Sequence, residues 1–386
     1  MNTAPNPNSP RRIAILTSGG DAPGMNAAIR AAASLVLAHG AEAIGVRMGY
    51  RGLLEGDFVP LHVQDISGII RDGGTMLGSA RCLEFMECAG RDQARARLRE
   101  AGIDGLIVIG GNGSLTGARA LVSPEELGDQ RLSVVGVPAS IDNDIGLTGM
   151  SIGVDTAMNT IVEACDRICD TASAHDRTFI VEVMGRDCGY LAMTAAVAAG
   201  ADAVLFPESD KDDSEAVETV VRAIQHARNR PGAHRRVLII KAEGTSFPLA
   251  ALKEQLDARL TQLFPEGHGT IETRVTVLGH IVRGGRPSAF DRLLACRLTR
   301  VAIEALLAGQ NAKMAAWMQA GDMPADIAQR AVSDPYCWLV DLDAVLAETQ
   351  RLLNGTSPLV RWRKHVFEQI EDVLTFQRVN QTPHPS

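Results

Sequence analysis

Two aspartates, Asp142 and Asp144, stand two residues apart in a short polar loop that follows the apolar run Val134–Val137. Two carboxylates at the edge of a sheet can divide the work of catalysis, since one accepts a proton while the other holds a metal ion. An Asx-rich turn produces the same pattern without any chemistry, so the pair alone leaves both interpretations open. Asn143, between them, is predicted to fix the loop.

Glycine-rich loops follow two further apolar runs and precede segments with helical spacing. Leu106–Ile109 leads into Gly110–Ser114, which reads GGNGS, and Ile13–Leu16 leads into a loop that contains Gly19 and Gly20. Such loops expose backbone N–H groups beside a helix N-terminus, where an anion is favoured. A tight turn without a ligand is the alternative. Because both loops follow predicted parallel strands, we expect them to face one phosphate-bearing ligand.

Arginines recur at positions that are predicted to lie in loops, namely Arg81, Arg177, Arg186, Arg274 and Arg283. Guanidinium groups bind phosphate bidentately, so several of them around one pocket indicate a substrate with its own phosphate. Any one of them alone is more simply a surface charge. His280 and Glu243, each after a predicted strand, are candidates for the same pocket, although a structural histidine and a turn acid would give the same pattern.

Strands and helices alternate along most of the chain, which predicts βαβ units and parallel sheets. The predicted strands are Ile13–Leu16, Ala43–Arg47, Leu106–Ile109, Val134–Val137, Thr178–Val183, Ala203–Phe206, Val237–Lys241 and Val275–Leu278. The predicted helices are Met25–Leu37, Thr156–Thr171, Leu191–Ala199, Ser214–Arg228 and Asp291–Leu307. The chain after Leu307 is predicted to be mostly helical.

The fold class is therefore predicted to be α/β, with two lobes that each contain a mainly parallel, doubly wound sheet flanked by helices and with the active site in the cleft between them. We expect the first lobe to comprise 11–155 and about 282–345. The second would comprise about 156–281 and a helical segment at about 346–376. Residues 1–10 and 380–386 are expected to be flexible tails.

Composition excludes several classes of function. The net charge of −8 provides no broad basic surface for nucleic acid. No apolar run approaches the length of a membrane span. The seven cysteines form no CxxC pair, which suits a reducing cytoplasm. No Walker A motif, HExxH motif or zinc-ligand spacing is present.

Taken together, the motifs resemble those of the bacterial-type phosphofructokinases, from about Ile13 to about Gly309. The blocks that carry the resemblance are ILTSGGDAPGMNAAIR (15–30), GGTMLGSAR (73–81), GGNGS (110–114), PASIDND (138–144), DRTFIVEVMGR (176–186), KAEG (241–244) and ETRVTVLGHIVRGGRPSAFDR (272–292). Their order and spacing make the resemblance specific.

The resemblance implies a role for each matching residue. Asp142 would accept the proton of the sugar 1-hydroxyl, and Ser140 would lie close to the transferred phosphoryl group. Arg81 and Arg186 would neutralise charge on that group. The implied donor-binding residues are Gly20, Arg81, Cys82, Asn112, Gly113 and Ser114. The implied sugar-phosphate residues are Ser140, Asp142, Arg177, Met184, Gly185, Arg186, Glu243, Arg274, His280 and Arg283.

The resemblance also implies a magnesium ion and an oligomer. Asn112 and Asp144 would hold Mg²⁺, although Asn112 is neutral where the family has an aspartate. Arg177 and Arg274 correspond to residues that reach the active site of a neighbouring subunit. A homo-oligomer, either a dimer or a tetramer, is therefore expected.

Three departures from the family pattern bear on the donor and on regulation. The GGNG loop lacks a carboxylate at Asn112. Gly113 and Ala139 stand where pyrophosphate-dependent members have an aspartate and a lysine, which favours ATP as the donor. Ser34 and Cys169 stand where allosterically controlled members have arginines, which argues against an effector site of the usual kind.

The resulting hypothesis is a cytoplasmic kinase that phosphorylates fructose 6-phosphate at O1 with ATP and Mg²⁺ in glycolysis. Three alternatives remain open at this point. The donor could be pyrophosphate, the acceptor could be another ketose phosphate such as sedoheptulose 7-phosphate, or the chain could be a non-catalytic sugar-phosphate-binding subunit.

Overall fold

A computed structural model describes residues 11–127, 131–209, 212–229, 235–264, 271–318 and 328–374. The predicted tails at 1–10 and 380–386 lie outside these residues. The chain divides into two compact units, which we call the first and the second unit. The first comprises Met1–Thr156 and Arg283–Leu352, and the second comprises Ala157–Val282 and Leu353–Ser386.

The strands, in chain order, are β1 (Arg12–Ser18), β2 (Glu42–Val46), β3 (Phe58–Pro60), β4 (Gly105–Gly110), β5 (Ser133–Pro138), β6 (Thr178–Val183), β7 (Ala203–Leu205), β8 (Val237–Ala242), β9 (Thr273–Val277), β10 (Lys313–Trp317), β11 (Ala328–Arg330) and β12 (Cys337–Asp341).

The α-helices are α1 (Met25–Ala38), α2 (Gly49–Glu55), α3 (Val63–Ile66), α4 (Cys88–Glu100), α5 (Asn112–Leu121), α6 (Pro124–Leu127), α7 (Val154–His175), α8 (Tyr190–Ala199), α9 (Asp213–Asn229), α10 (Leu249–Leu263), α11 (Ala289–Leu307), α12 (Leu342–Leu353) and α13 (Pro358–Leu374). Short 3₁₀ helices cover Ile69–Arg71, Glu84–Met86, Pro207–Ser209 and Gly279–Arg283. Among the helices that the structure describes, none has the combination of length and apolarity needed to span a bilayer.

The sheet of the first unit has the strand order β11-β12-β10-β5-β4-β1-β2-β3. Its centre, from β10 through β5, β4 and β1 to β2, is parallel, whereas β3, β12 and β11 pair antiparallel at the edges. All six residues of β4 are buried, as expected of a strand that is covered by helices on both faces. The predicted α/β class with mainly parallel sheets is confirmed.

The prediction that the chain after Leu307 is mostly helical holds for α12 and α13 but misses three strands. Three strands, β10, β11 and β12, lie in this part of the chain and extend the first sheet. The sequence of β10, KMAAW, has the composition of a helix, but its backbone pairs with β5 on one side and with β12 on the other. Pairing with strands distant in sequence overrides the local preference here.

The sheet of the second unit has the order β7-β8-β6-β9, and all three pairings are parallel. Its core packs residues of α9 and α10, such as Val220 and Leu256, against strand residues such as Ile180 and Ile239. The last strand, β9, lies at an edge of the sheet, where Val275 and Val277 remain 40% and 58% exposed.

A buried aspartate of the first unit fixes the start of two long helices, α7 and α11. The Asp291 carboxylate accepts hydrogen bonds from the backbone N–H groups of Gly153 and Thr156, both at 2.8 Å, at the first turn of α7. Its own N–H donates to Ser288 Oγ, the N-cap of α11, at 3.1 Å. Burial raises the pKa of Asp291, while hydrogen bonds from the Thr156 hydroxyl and from the N–H groups of Gly153 and Thr156 oppose that rise by favouring the ionised form.

Candidate active site

Three loops of the first unit begin at the same level of the sheet. Strands β1, β4 and β5 are parallel neighbours, and the register pairs Ser18 with Gly110 and Gly110 with Pro138. The glycine loop after β1, the GGNGS loop after β4 and the Ser140–Asp144 loop after β5 therefore leave one carboxyl edge together. This edge is the place where α/β sheets bind ligands.

The two glycine loops approach each other so closely that side chains are excluded. A Cβ on Gly110 would lie 2.5 Å from both Ser114 Oγ and Ser18 O, and a Cβ on Gly19 would lie 3.2 Å from the same hydroxyl. Gly19 also has a φ of +86°, which favours glycine. Ser114 is 3% exposed, and among the described residues its Oγ has no hydrogen-bond partner.

Neutral side chains hold the carboxylate of Asp144 from two sides. Ser140 Oγ donates to Asp144 Oδ1 at 3.1 Å, and Asn112 Nδ2 donates to Asp144 Oδ2 at 2.7 Å. The N–H of Asp142 donates to Ser140 Oγ at 3.3 Å. The Ser140 hydroxyl, the Asn112 amide and the Asp144 carboxylate are thus within one hydrogen-bonded group, which Asp142 joins through its backbone N–H.

Asn143 fixes this loop, as predicted. It is 1% exposed and has a φ of +51°. Its Nδ2 donates to Gly149 O at 3.0 Å, and its Oδ1 accepts from the N–H of Ser151 at 3.1 Å.

The oxygen groups beside Asp144 fit a magnesium ion. Asn112 Oδ1 is buried and accepts no hydrogen bond from any residue that the structure describes. Within the described part of the chain, no group of three or more His, Cys, Asp or Glu residues is placed to hold a metal. Magnesium does not need such a cage, because it commonly binds one or two carboxylates together with substrate phosphates.

A fourth loop, Gly73–Arg81, is fastened to the end of β1 and the start of α1. Thr17 Oγ1 donates to Gly78 O at 3.0 Å, and Asn26 accepts from the N–H of Met76 at 2.7 Å. Ser79 Oγ donates to Gly19 O at 2.7 Å. The exposed Arg81 therefore follows directly after a segment that is bonded to the first glycine loop.

Two more of the expected donor-binding residues differ in their surroundings. Cys82 is partly buried and packs against the core of the first unit. Gly113 lies in open space, because a Cβ added to it would meet no atom within 4 Å.

A tyrosine supports the helix that begins in the GGNGS loop. The hydroxyl of Tyr50 donates to Ser114 O in the first turn of α5 at 2.6 Å, and its ring stacks on Phe85 with the centroids 4.0 Å apart. Burial raises the pKa of Tyr50, so the phenol remains a hydrogen-bond donor. A Cβ on Gly117 would meet the ring at 2.9 Å.

Arg283 is placed beside the first glycine loop. Its Nη1 donates to Asp21 O at 3.2 Å and would lie 2.7 Å from a Cβ on Gly20.

The prediction that all five arginines lie in loops is wrong for two of them. Arg283 ends a 3₁₀ helix, and Arg274 lies within β9, because its strand pairs with β6.

In the second unit, five of the expected sugar-phosphate residues lie at the carboxyl edge of the sheet. Met184, Gly185 and Arg186 follow β6, Glu243 follows β8 and His280 lies beyond the end of β9. The N–H of Glu243 donates to Val183 O at 2.9 Å. Arg186, Glu243 and His280 are exposed.

Glycine is required where these loops touch. Gly185 has a φ of +134°, and a Cβ on Gly244 would lie 1.7 Å from Arg186 O. The N–H of Gly244 donates to Gly185 O at 3.0 Å. The backbones of the two loops are therefore in direct contact.

Arg177 and Arg274 lie at the other end of this sheet. Both pair with Glu272, with the Arg177 Nε and the Arg274 Nη2 on its two carboxylate oxygens. Arg177 directly precedes β6 and Met184 directly follows it, so the six-residue strand separates them by about 20 Å. The structure does not bring these two arginines together with Met184, Gly185 and Glu243.

Sequence reasoning missed three residues that organise these sites. Glu272 binds both Arg177 and Arg274, Tyr50 supports α5, and Asn26 holds the fourth loop. The position of Glu272 two residues before Arg274 was the one available signal. The other two contacts join segments that are 50 or more residues apart, which no local pattern indicates.

Comparisons with known sequences give one family. The family model described as Phosphofructokinase matches residues 12–306. The chain is 47% identical over 300 residues to a protein named ATP-dependent 6-phosphofructokinase from Thermotoga neapolitana, covering 78% of this chain and 88% of that protein. It is also 47% identical over 310 residues to ATP-dependent 6-phosphofructokinase 1 from Thermus thermophilus, covering 79% and 88%.

Solved structures agree in fold. Pichia pastoris phosphofructokinase in the T-state matches with a TM-score of 0.80 and 32% identity, and the match covers 96% of this chain but only 40% of the yeast chain. Pyrophosphate-dependent phosphofructokinase from Marinobacter aquaeolei matches with a TM-score of 0.70 and 21% identity, covering 87% of this chain and 83% of that one. The second likeness concerns the fold alone.

Proposed function

Because this chain belongs to the phosphofructokinase family, we propose that it transfers a phosphoryl group from ATP to O1 of fructose 6-phosphate, giving fructose 1,6-bisphosphate. The observation that carries the proposal is the hydrogen-bonded group of Asn112, Ser140, Asp142 and Asp144 at one carboxyl edge. Phosphoryl transfer needs an activated hydroxyl, in-line placement and stabilised charge, and little covalent chemistry from the protein.

In the proposed mechanism, Asp142 accepts the proton of the sugar 1-hydroxyl as that oxygen attacks the terminal phosphorus of ATP, and the bond from this phosphorus to the bridging oxygen breaks to release ADP. Arg81 and Arg186 stabilise the negative charge of the moving group, and the backbone N–H groups of the glycine loops bind the donor phosphates. Asp144 and the amide oxygen of Asn112 would hold Mg²⁺, which supplies charge neutralisation on the phosphate oxygens when bound.

We assign donor binding and proton transfer to the first unit and sugar-phosphate binding mainly to the second. Met184, Gly185, Arg186, Glu243 and His280 would bind the sugar phosphate. In this proposal the Arg283 guanidinium, which donates a hydrogen bond to Asp21 O in this structure, would contribute to sugar-phosphate binding.

We further propose a homo-oligomer in which Arg177 and Arg274 serve the active site of a neighbouring subunit. Their distance from Glu243 along the sheet supports this assignment, because neither could bind the same phosphate as the loops at the carboxyl edge. The exposed apolar side chains at the β9 edge, Val275, Val277 and Ile281, are suited to burial against a second copy.

ATP is the proposed donor because Gly113 leaves open space beside the GGNGS loop for a nucleotide. Ala139, where pyrophosphate-dependent members have a lysine, is 1% exposed and presents no cation. The relatives at 47% identity are named ATP-dependent.

We propose a cytoplasmic location, which accords with seven free cysteines.

A coupled assay tests this function directly. Purified protein with Mg²⁺ is expected to phosphorylate fructose 6-phosphate faster with ATP than with pyrophosphate at equal concentrations. Sedoheptulose 7-phosphate, tested as the acceptor in parallel, is expected to be the poorer substrate. Faster turnover with pyrophosphate would contradict the assignments of Gly113 and Ala139, and no turnover with either donor would favour a non-catalytic binding subunit.

A further inference from the structure

A buried ion pair in the second unit has no role in the mechanism above. Lys241 Nζ donates to Glu182 Oε2 at 2.8 Å, and the two residues are register partners on the neighbouring strands β8 and β6. The Lys241 side chain is 1% exposed and that of Glu182 is 18% exposed. Lysine is almost never buried to this extent unless it is paired.

The ammonium group is held by three neighbours. Besides Glu182, it donates to Ala242 O at 3.1 Å and lies 5.6 Å from the centre of the Phe247 ring. A methionine of similar length would fill this space without the desolvation cost of a charge. A lysine therefore needs an explanation beyond packing.

The position of the pair suggests that explanation. Glu182 lies two residues before Met184, and Lys241 lies two residues before Glu243, so the pair is directly beneath two of the loops assigned to the sugar phosphate. Glu182 O also accepts a hydrogen bond from the N–H of Leu278, which follows β9 and precedes His280. Glu182, on β6, is thus hydrogen-bonded both to Lys241 on β8 and to the residue that follows β9.

We propose that Lys241 is a positioning residue for the sugar-phosphate site. Its ammonium ties the Glu182 side chain to the carbonyl of Ala242 and so fixes Glu243 relative to the Met184–Arg186 loop. Lys241 is too deeply buried to contact a substrate, so it acts through these neighbours. The inference rests on the proposed function of the second unit.

The charge of Lys241 matters for the same site. Without the ammonium, the Glu182 carboxylate would be left unpaired beneath loops that receive a phosphorylated sugar. A buried, unpaired carboxylate is costly, and it would repel an anionic ligand. The loss should therefore affect the sugar phosphate far more than ATP, whose proposed loops are in the first unit.

Steady-state kinetics of Lys241→Met test the proposal. We expect the KM for fructose 6-phosphate to rise about tenfold, equivalent to about 1.4 kcal/mol. We expect the KM for ATP to stay within about twofold, since no group assigned to donor binding changes. Glu182→Gln keeps an oxygen acceptor for Lys241 Nζ and should raise the sugar-phosphate KM only about two- to threefold.

Lys253→Met is the matched control. Lys253 pairs with Asp257 of α10 in the same unit, and Asp257 also accepts a hydrogen bond from Thr273 at the first residue of β9, so the substitution removes the same charge at a site linked to the amino edge of the sheet and not to the loops at its carboxyl edge. Its two KM values should equal those of the unchanged protein. An unchanged sugar-phosphate KM in Lys241→Met, or an equal rise in both KM values, would overturn the proposal.

Two further variants keep the test decisive. If Lys241→Met does not fold, Glu182→Ala removes the other, more exposed partner of the ion pair. We again expect the KM for the sugar phosphate to change and the KM for ATP to stay the same. Unchanged or equally raised KM values there would overturn the proposal. Glu243→Gln separates this inference from the proposed function, because a normal sugar-phosphate KM in that variant contradicts the site assignment itself.

Discussion

The two sheets present their functional loops by different physical means. In the first unit, the loops are held by close backbone contact, as at Gly110, and by hydrogen bonds from neutral side chains, as from Asn112 to the Asp144 carboxylate. In the second unit, charge pairs lie at both ends of the sheet. Lys241 pairs with Glu182 near the carboxyl edge, and Glu272 binds two arginines at the amino edge.

The difference follows from what each site is proposed to bind. A phosphoryl group in transfer needs backbone N–H groups and a hydroxyl at fixed positions. The glycine loops pack so closely that they leave no room for side chains, and this close packing fixes those positions. A sugar phosphate needs cations, and Glu272 holds Arg177 and Arg274 in place, whereas Lys241 acts only through its neighbours. Changes in the first unit should therefore act on turnover and folding, and changes in the second on sugar-phosphate affinity.

The largest expected effect is on turnover in the first unit. Asp142→Asn should lower kcat by about 10²–10⁴-fold, because a general base contributes about that much, and should leave the KM for fructose 6-phosphate nearly unchanged. Asp343→Asn, at an exposed carboxylate paired with Arg119 in the same unit, is the control and should keep full activity. Near-normal kcat in Asp142→Asn would contradict the assignment of the base.

The next largest expected effect is on the KM for fructose 6-phosphate, through an arginine of the second unit. Arg274→Gln should raise the KM for fructose 6-phosphate about tenfold or more while the KM for ATP is unchanged, since a hydrogen bond to a charged group is worth about 1.5–3 kcal/mol. Arg259→Gln, which breaks a surface pair with Glu218, serves as the control. Equal effects of Arg274→Gln on both substrates would refute the division of roles between the units.

A stability measurement tests the close contact of the glycine loops. Gly110→Ala should lower the free energy of unfolding by about 1–3 kcal/mol, because its Cβ would lie 2.5 Å from Ser18 O and Ser114 Oγ. Gly113→Ala is the matched control in the same loop, and its Cβ would meet no atom within 4 Å. Urea denaturation that gives equal stabilities for the two variants would show that the loops are less constrained than their contacts indicate.

The smallest effect concerns the neutral amide at the proposed metal site. Asn112→Asp places a carboxylate where Nδ2 now donates to Asp144 Oδ2 at 2.7 Å, so two like charges would repel each other without a cation. The melting temperature should fall without Mg²⁺ and recover with it. The Mg²⁺ concentration for half-maximal activity should decrease about two- to fivefold, because hard cations prefer charged oxygen ligands. An unchanged Mg²⁺ requirement would place the metal away from Asn112.

Local patterns were sufficient for the framework of both sites. The apolar runs Leu106–Ile109 and Val134–Val137 are buried strands, and the loops that follow them emerge at one edge as predicted. These predictions succeed because a buried parallel strand and a glycine loop each leave a signature within about ten residues of sequence. The sequence blocks at 73–81, 110–114 and 138–144 likewise identified the family.

The tertiary structure alone decided which of these residues touch. The bond from Asn112 to Asp144, the placement of Arg283 on Asp21 O and the pairing of Lys241 with Glu182 join positions 32, 262 and 59 residues apart. The strand β10 forms for the same reason, since its partners β5 and β12 are distant in the chain. Such contacts depend on strand order and register, and these are set by packing of the whole sheet rather than by any segment of the sequence.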